Sequence, residues 1–383
     1  MMGDANPQPE LFYDISLEQF VPDDHPLRAI RPFIDIKRLR KTCAPLYSHT
    51  GRPSIPPEQL FLALIGGYLL GVSSERKLMI ELECNLALRW FVGLDLTEHA
   101  WDASTFSQNR RRRFDKSGVL EKLFDDTVRQ ARKAGLISTH VSVDGTLVRA
   151  NASYKSFVPI EVALDAETYK KQIRDEDQNH AGDEDHTDHD KSNPSVDFRG
   201  EKRSNKTHRS KSDPDCRMVS KGSSGTGAYP GYTVNAVMEN RHRFLLGINV
   251  ETFQGCTSEE QGCLSLLKRA RRRYRYHPQS VGADKGYFHQ DFLESLFELQ
   301  IEPHVAATKR GKSKAHRRVR MRQRGQPYKA SQRCRKKIEE LFGEGKDLHG
   351  LRRFRRRLKP KIQEELWIIG TVLNLKRLST CMS

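Results

Sequence analysis

The stretch His140-Val-Ser-Val-Asp144-Gly alternates polar with apolar, β-branched residues, so it reads as a strand ending at Asp144. It opens a run of extended and helical segments. Tyr232 to Met238 and Phe244 to Val250 have strand character, and a turn through Glu239 to His242 joins them as a hairpin. A helix is predicted from about Glu259 to Arg273, then a short strand from Gln279 to Ala283 that runs into Asp284-Lys-Gly-Tyr287. A helix from about Gln290 to Leu299 and a strand from Ile301 to Ala307 follow. Residues 308–330 are Arg-rich with few apolar side chains and are expected to form a loop. Helices from about Gln332 to Gly345 and from about Lys361 to Ser379 complete the pattern. Residues 137–383 are therefore expected to be a mixed α/β domain. Within it, residues 164–222 lose all periodicity, acidic and His-rich first and basic and Ser-rich afterwards, which predicts a polar, mobile insertion. Its His and Asp residues keep no fixed spacing and read as solvated rather than metal-binding.

Upstream of His140 the pattern is helical. Residues 1–24 are a polar lead-in, and residues 25–136 are expected to form a helical domain. Pro56-Pro57 sets a helix start, and Leu60, Leu62, Leu64, Ile65, Tyr68 and Leu69 cover most of that helix, so burial on nearly all sides is predicted. Gly71 ends it, and Ser73 or Ser74 can cap a second helix from Glu75 to about Glu83. Two helices around a short turn give a helix-turn-helix outline, and the domain is expected to contact DNA. Asp102-Ala-Ser104 offers another N-cap. Arg110, Arg111, Arg112 and Arg113 follow on that helix; four successive arginines cannot all face a core, so they are expected at solvent or phosphates.

The 383 residues carry 66 Lys and Arg against 49 Asp and Glu, a net charge of +17. Such a balance points to a polyanion partner, nucleic acid first. The charge is concentrated. Residues 305–361 hold 22 Lys and Arg and four acids, Glu339, Glu340, Glu344 and Asp347. That is +18 in 57 residues, so the other 326 sum to about −1. Binding through this segment is expected to weaken steeply with salt. Mean hydropathy is −0.71, and the longest apolar run, Leu60 to Val72, is too short to span a bilayer. The N-terminus lacks a basic-then-apolar export pattern, so a cytoplasmic location is expected. Seven cysteines with no CxxC pair argue for reduced thiols rather than a disulfide framework or a zinc ribbon.

The order of acids along the chain suggests chemistry. Asp144 and Asp284 end different strands, and Glu339 lies on a following helix, so the three can meet at one sheet edge. Converging carboxylates repel one another unless cations neutralise them. Mg²⁺ is the usual hard cation where phosphates complete its shell, and two ions about 3.5–4 Å apart serve phosphodiester chemistry. A basic neighbour would hold a nucleic acid backbone there. An Asp that closes a strand is also a common turn former, so spacing alone leaves both readings open.

Ser142-Val-Asp144-Gly-Thr-Leu-Val-Arg-Ala150, Gly282-Ala-Asp284-Lys-Gly-Tyr287 and Arg335-Lys-Lys-Ile-Glu339-Glu-Leu-Phe-Gly-Glu-Gly-Lys346 resemble the three acidic motifs of bacterial insertion-sequence DDE transposases. Phe12-Tyr-Asp-Ile-Ser-Leu-Glu-Gln-Phe-Val, Thr207-His-Arg-Ser-Lys-Ser-Asp213-Pro-Asp215 and Val372-Leu-Asn-Leu-Lys-Arg fit the same group, so the likeness runs over roughly residues 10–379. The resemblance implies a ribonuclease-H-like catalytic core behind a helical DNA-binding domain. It implies Mg²⁺, with Mn²⁺ as a substitute, and cleavage and joining of double-stranded DNA at terminal inverted repeats. The matching catalytic and metal-holding triad is Asp144, Asp284 and Glu339. Asp144 would bridge both metals, while Asp284 and Glu339 each bind one; water, then a 3′-hydroxyl, would be the nucleophile. Arg335 and Lys346 are expected at phosphates near the scissile bond, Lys285 and Tyr287 beside the DNA, and Arg352 and Arg353 on its backbone. Two element ends are joined, so a homodimer on DNA is expected, in a nucleoid-associated location.

Arg335, Glu339 and Lys346 keep the spacing of the group's last motif, but its Tyr is replaced by Gln332. Glu340 is the rival third acid. Neighbours on a helix diverge by about 100°, and Lys346 shares a face with Glu339 at two turns, which favours Glu339. Three alternatives remain: a nuclease that cuts without joining, a DNA-binding protein whose acids are structural, and an inactive copy, against which the presence of all three motifs argues.

Overall fold

A computed structural model of the chain describes residues 16–160, 197–198, 201–202, 204–220 and 227–382, apart from 49, 52, 53 and 116. The first part is helical: α1 (Leu17–Phe20), α2 (Pro26–Ile30), α3 (Ile36–Cys43), α4 (Pro57–Leu69), α5 (Glu75–Cys84), α6 (Leu86–Val92), α7 (Ala103–Arg113) and α8 (Val119–Lys133). In α4 every residue from Leu60 to Tyr68 is buried, as its apolar run predicts. Ser74 caps α5 by accepting the Lys77 amide, and Asp102 caps α7 through the Ser104 and Thr105 amides.

The second part holds strands β1 (His140–Arg149), β2 (Phe157–Pro159), β3 (Asp197–Phe198), β4 (Glu201–Lys202), β5 (His208–Ser210), β6 (Arg217–Val219), β7 (Tyr229–Glu239), β8 (Leu245–Glu251), β9 (Ser280–Ala283) and β10 (Glu302–Val305). Helices α9 (Cys256–Tyr274), α10 (Gln290–Glu298), α11 (Lys314–Arg322), α12 (Gln326–Leu348) and α13 (Lys359–Met382) accompany them. The main sheet runs β8–β7–β1–β9–β10, with the short β6 also on β7. β7 is antiparallel to β1 and β8, whereas β9 and β10 run parallel to β1. Three antiparallel strands followed by two parallel ones, with helices on the crossovers, make the ribonuclease-H-like order that the resemblance implied.

Four expectations are corrected. Asp144 does not end its strand. β1 continues in register with β7 to Arg149 because Gly145 stays extended opposite Asn235. What ends near Asp144 is the pairing with β9, which stops at Ser142. Secondly, residues 308–330 are not a loop. They contain α11, capped by Ser313 and anchored by buried Ala315, His316 and Val319 on one face, and the first turn of α12. Arg320 fixes that corner by donating to the Thr308 and Gly311 carbonyls.

Thirdly, the insertion expected at 164–222 is narrower. Residues 164–196 lie outside the described residues, but 204–220 are built into the fold. β5 pairs β2, β6 pairs β7, and buried Asp213 accepts from the Tyr232 hydroxyl at 2.5 Å and the Leu358 amide at 3.1 Å. Fourthly, Tyr287 does not reach for DNA: it is 1% exposed in the core, 3.5 Å from Cys263 Sγ.

One apolar core joins the helical part to the sheet. α13 packs on α2, α4, α8 and β8 and buries Leu366 through Leu375. Within it, Asn374 donates to Thr127 of α8 and to the Leu245 carbonyl of β8. A charged joint lies beside it. Asp125 of α8 is fully buried and accepts from Arg269 at 2.6 Å and from the Tyr274 hydroxyl at 2.5 Å, with Arg273 also paired to it. Among the described residues no helix is long and apolar enough to cross a membrane.

Candidate active site

Asp144 and Asp284 sit on neighbouring strands of the parallel part of the sheet, each just past the β1–β9 pairing. Asp144 accepts its neighbour Gly145's amide at 2.9 Å, and Asp284 accepts the Gly286 amide at 2.8 Å. Burial pushes the Asp144 carboxyl up to about 6, and the nearby charges of Asp284 and Glu339 add to that rise.

α12 crosses this edge of the sheet and is pinned at two places. Gly282 lacks a side chain, and a Cβ there would stand 2.8 Å from Ser331 Oγ, so the helix comes close to β9. Gln332 then donates to the Ala283 carbonyl at 3.1 Å and also to the His304 carbonyl, bridging the ends of β9 and β10. At the other end Lys346 donates to Thr146 Oγ1 at 2.6 Å, on the same face of β1 as Asp144. Glu339 lies two helical turns from each pin, on the face that crosses the sheet. Gln332, where the resembling group has Tyr, thus serves as an anchor.

Arg335 stands between the acids, 4.0 Å from Asp144 Oδ2 and 3.2 Å from Glu339 Oε1. Glu340 turns the other way, 2.9 Å from Lys337 and 3.0 Å from Arg243. The Glu339 side chain is 61% exposed. Among the described residues no three His, Cys, Asp or Glu side chains stand close enough to share one ion, so the expected convergence is incomplete and the Arg335 guanidinium fills part of it.

A further acid belongs to the site, and the sequence reading missed it. Glu259, in the first turn of α9, lies against β1: a Cβ on Gly145 would stand 2.8 Å from its Cγ. Gly262 allows this, since a Cβ there would collide with Asn235 of β7. Burial raises the Glu259 carboxyl to about 7, helped by Asp144 and Asp284. An acid at a helix start is ordinary dipole chemistry, so only the packing of α9 on Gly145 could have marked it.

The donor set suits a hard divalent cation. It offers carboxylate oxygens only, from Asp144, Asp284, Glu259 and Glu339, and the first and third are held above their usual range by burial and then by the neighbouring acids. Linkage then fixes a sign. Asp144 and Glu259 bind protons more tightly folded than unfolded, so their contribution destabilises the metal-free protein increasingly as pH rises from about 4 through 7. Melting of metal-free wild type should fall across that window relative to Asp144→Asn, and Mg²⁺ should close the gap. Parallel pH curves for the two proteins would contradict this.

The expected DNA-binding residues divide. Lys285, Arg112, Arg352 and Arg353 are exposed, and Arg111 is half-buried. Arg352 also pairs with Asp347. Arg110 and Arg113 turn inward instead, against the expectation: Arg110 pairs with Glu75 at 2.5 Å, and Arg113 stacks on Tyr47 and donates to the Leu46 carbonyl. Part of the 305–361 charge is likewise used internally, with Arg355 over Tyr68 and Arg356 buried on Asp115.

Sheet order and acid placement together define a nucleic-acid-processing enzyme on a ribonuclease-H-like core. A family model described as a transposase DDE domain matches residues 137–375, and one described as a transposase domain (DUF772) matches residues 15–112. The chain belongs to the transposase DDE-domain family and is a DDE transposase, an enzyme class that uses divalent metal ions. No curated protein matches it. Among solved structures it is similar to a piggyBac transposase synaptic complex with hairpin DNA, at 10% identity over 94% of this chain and 76% of that one, with a TM-score of 0.39. It is also similar to a pre-cleavage Mos1 transpososome, at 9% identity over 77% and 79%, with a TM-score of 0.21.

Proposed function

We propose that this transposase cleaves and joins double-stranded DNA at the terminal inverted repeats of an insertion sequence, with Asp144, Asp284 and Glu339 as its catalytic, metal-holding acids. The observation that carries the assignment is the pair Asp144 and Asp284 at the end of the β1–β9 pairing, with Arg335 of α12 set between Asp144 and Glu339. Mg²⁺, or Mn²⁺ in its place, fits these oxygens, with Glu259 adding its charge. Two bound ions would activate the attacking oxygen and stabilise the leaving one.

The chain's own groups supply the rest. Asp144, whose carboxyl feels the charges of both Asp284 and Glu339, would be the acid common to the two ions. Arg335 stands against Asp144 and Glu339 and would turn to a phosphate where bound cations took over that charge. Lys285, beside Asp284, and Lys346, on Thr146, hold the backbone near the cut, while Arg111, Arg112, Arg352 and Arg353 grip it further out. Joining two ends requires at least two protomers, so the working form is a homodimer assembled on DNA.

Incubating the protein with Mg²⁺ and DNA that carries its element's own ends tests this. Nicking at the ends, followed by joined product from a precut end, is expected. Cutting without joining would leave a nuclease, and binding without Mg²⁺-dependent cutting would leave a DNA-binding protein.

A further inference from the structure

The near-neutral charge of the 326 residues outside 305–361 conceals a second basic surface. On α9, Lys268, Arg271 and Arg272 follow one another at positions i, i+3 and i+4, which is one stripe of a helix, and Arg275 caps its C-terminal end. All four are exposed, and none has an ion-pair partner among the described residues. The opposite stripe is locked into the protein, with Cys263, Leu266, Leu267, Ala270 and Tyr274 buried and Arg269 held by Glu121 and Asp125. The ridge is therefore rigid.

Neighbouring elements widen it. Arg132 of α8, exposed beside Lys133, donates to the Arg275 carbonyl at 3.2 Å, which sets the ends of α8 and α9 side by side. Cations at helix ends complement the helix dipoles. Glu121 beside Arg272 and Asp126 beside Lys133 already pair with Arg269, Arg38 and Arg129, so six cations on two adjoining ends exceed that need and repel one another.

We infer that the Lys268–Arg271–Arg272–Arg275 ridge, with Arg132 and Lys133, is a second binding surface for duplex DNA, one that grips the phosphate backbone away from the cutting site. This rests on the proposed function above, because duplex DNA is the substrate proposed there. Glu259 in the first turn of α9 faces Asp144, whereas the ridge lies up to about 20 Å further along the helix and on its opposite face. The surface reads backbone charge rather than sequence, since it offers only solvent-facing cations.

The test is the salt dependence of binding to a 20-base-pair duplex of arbitrary sequence, without divalent metal, for wild type and for K268Q/R271Q/R272Q. Loss of three phosphate contacts should flatten the slope of log affinity against log salt by about 2.7, and lower affinity at least about tenfold near 0.1 M salt. The charge-conserving R271K/R272K should retain the wild-type slope, and both variants should melt like wild type. A triple variant with the wild-type slope overturns the ridge alone, provided wild type itself binds steeply. A flat wild-type response overturns both the ridge and the underlying reading. Loss of slope in R271K/R272K as well would mean that shape rather than charge matters, and would also overturn it.

Discussion

Asp144→Asn is expected to reduce Mg²⁺-dependent cleavage of end DNA by about a thousandfold or more, since cation stabilisation of the transition state is worth several kcal/mol and each 1.4 kcal/mol is tenfold. DNA binding should persist, because the substitution removes a negative charge from a site that faces phosphates. The same loss is expected for Asp284→Asn and Glu339→Gln. Glu340→Gln provides the contrast. Its carboxylate already pairs with Lys337 and Arg243 on another side of α12, so cleavage should stay near wild type. A protein that cuts normally as Asp144→Asn has its catalytic site elsewhere. Inactivity of Glu340→Gln beside an active Glu339→Gln would exchange the third acid.

The second large effect concerns stability. Asp125→Ala is expected to destabilise the fold by about 3–5 kcal/mol, the cost of leaving buried charges without their partner. Arg269 would keep Glu121 but lose its buried carboxylate, and the Tyr274 hydroxyl would be left without an acceptor. The joint connects α8 to α9, the helix that places Glu259 at the acids, so cleavage should fall along with stability. Urea unfolding measures the first effect. A variant within about 1 kcal/mol of wild type would show that water replaces the carboxylate.

Much of the architecture is legible in the sequence, because period and caps are local signals. The β7–β8 hairpin, the short strands that lead to Asp284 and to α11, and the buried α4 all follow from alternation or apolar density. The misreadings share one cause, which is tertiary contact. Gly145 reads as a turn residue after Asp144, yet it is a strand residue kept bare for Glu259. Residues 314–322 read as loop because only Ala315, Val319 and Met321 are apolar; His316, the Ser313 cap and the Arg320 bonds supply what composition lacks. Arg110 and Arg113 read as outward because nothing nearby in sequence announces Glu75 or Tyr47. The acids themselves were found by resemblance, whereas Glu259 and the anchoring of Gln332 emerge only from packing.

The place of α13 also bears on how the chain is made. α4 finds its cover in α13, about 300 residues later, and at roughly 5–20 residues per second the ribosome needs about 15–60 s to travel between them. For that interval α4 is covered by α3, α5 and α6 alone, and the side that α13 buries stays open to water. The same delay acts as a safeguard. A transposase left half-synthesised lacks the helix that joins its two parts, and so cannot cut DNA before it is whole.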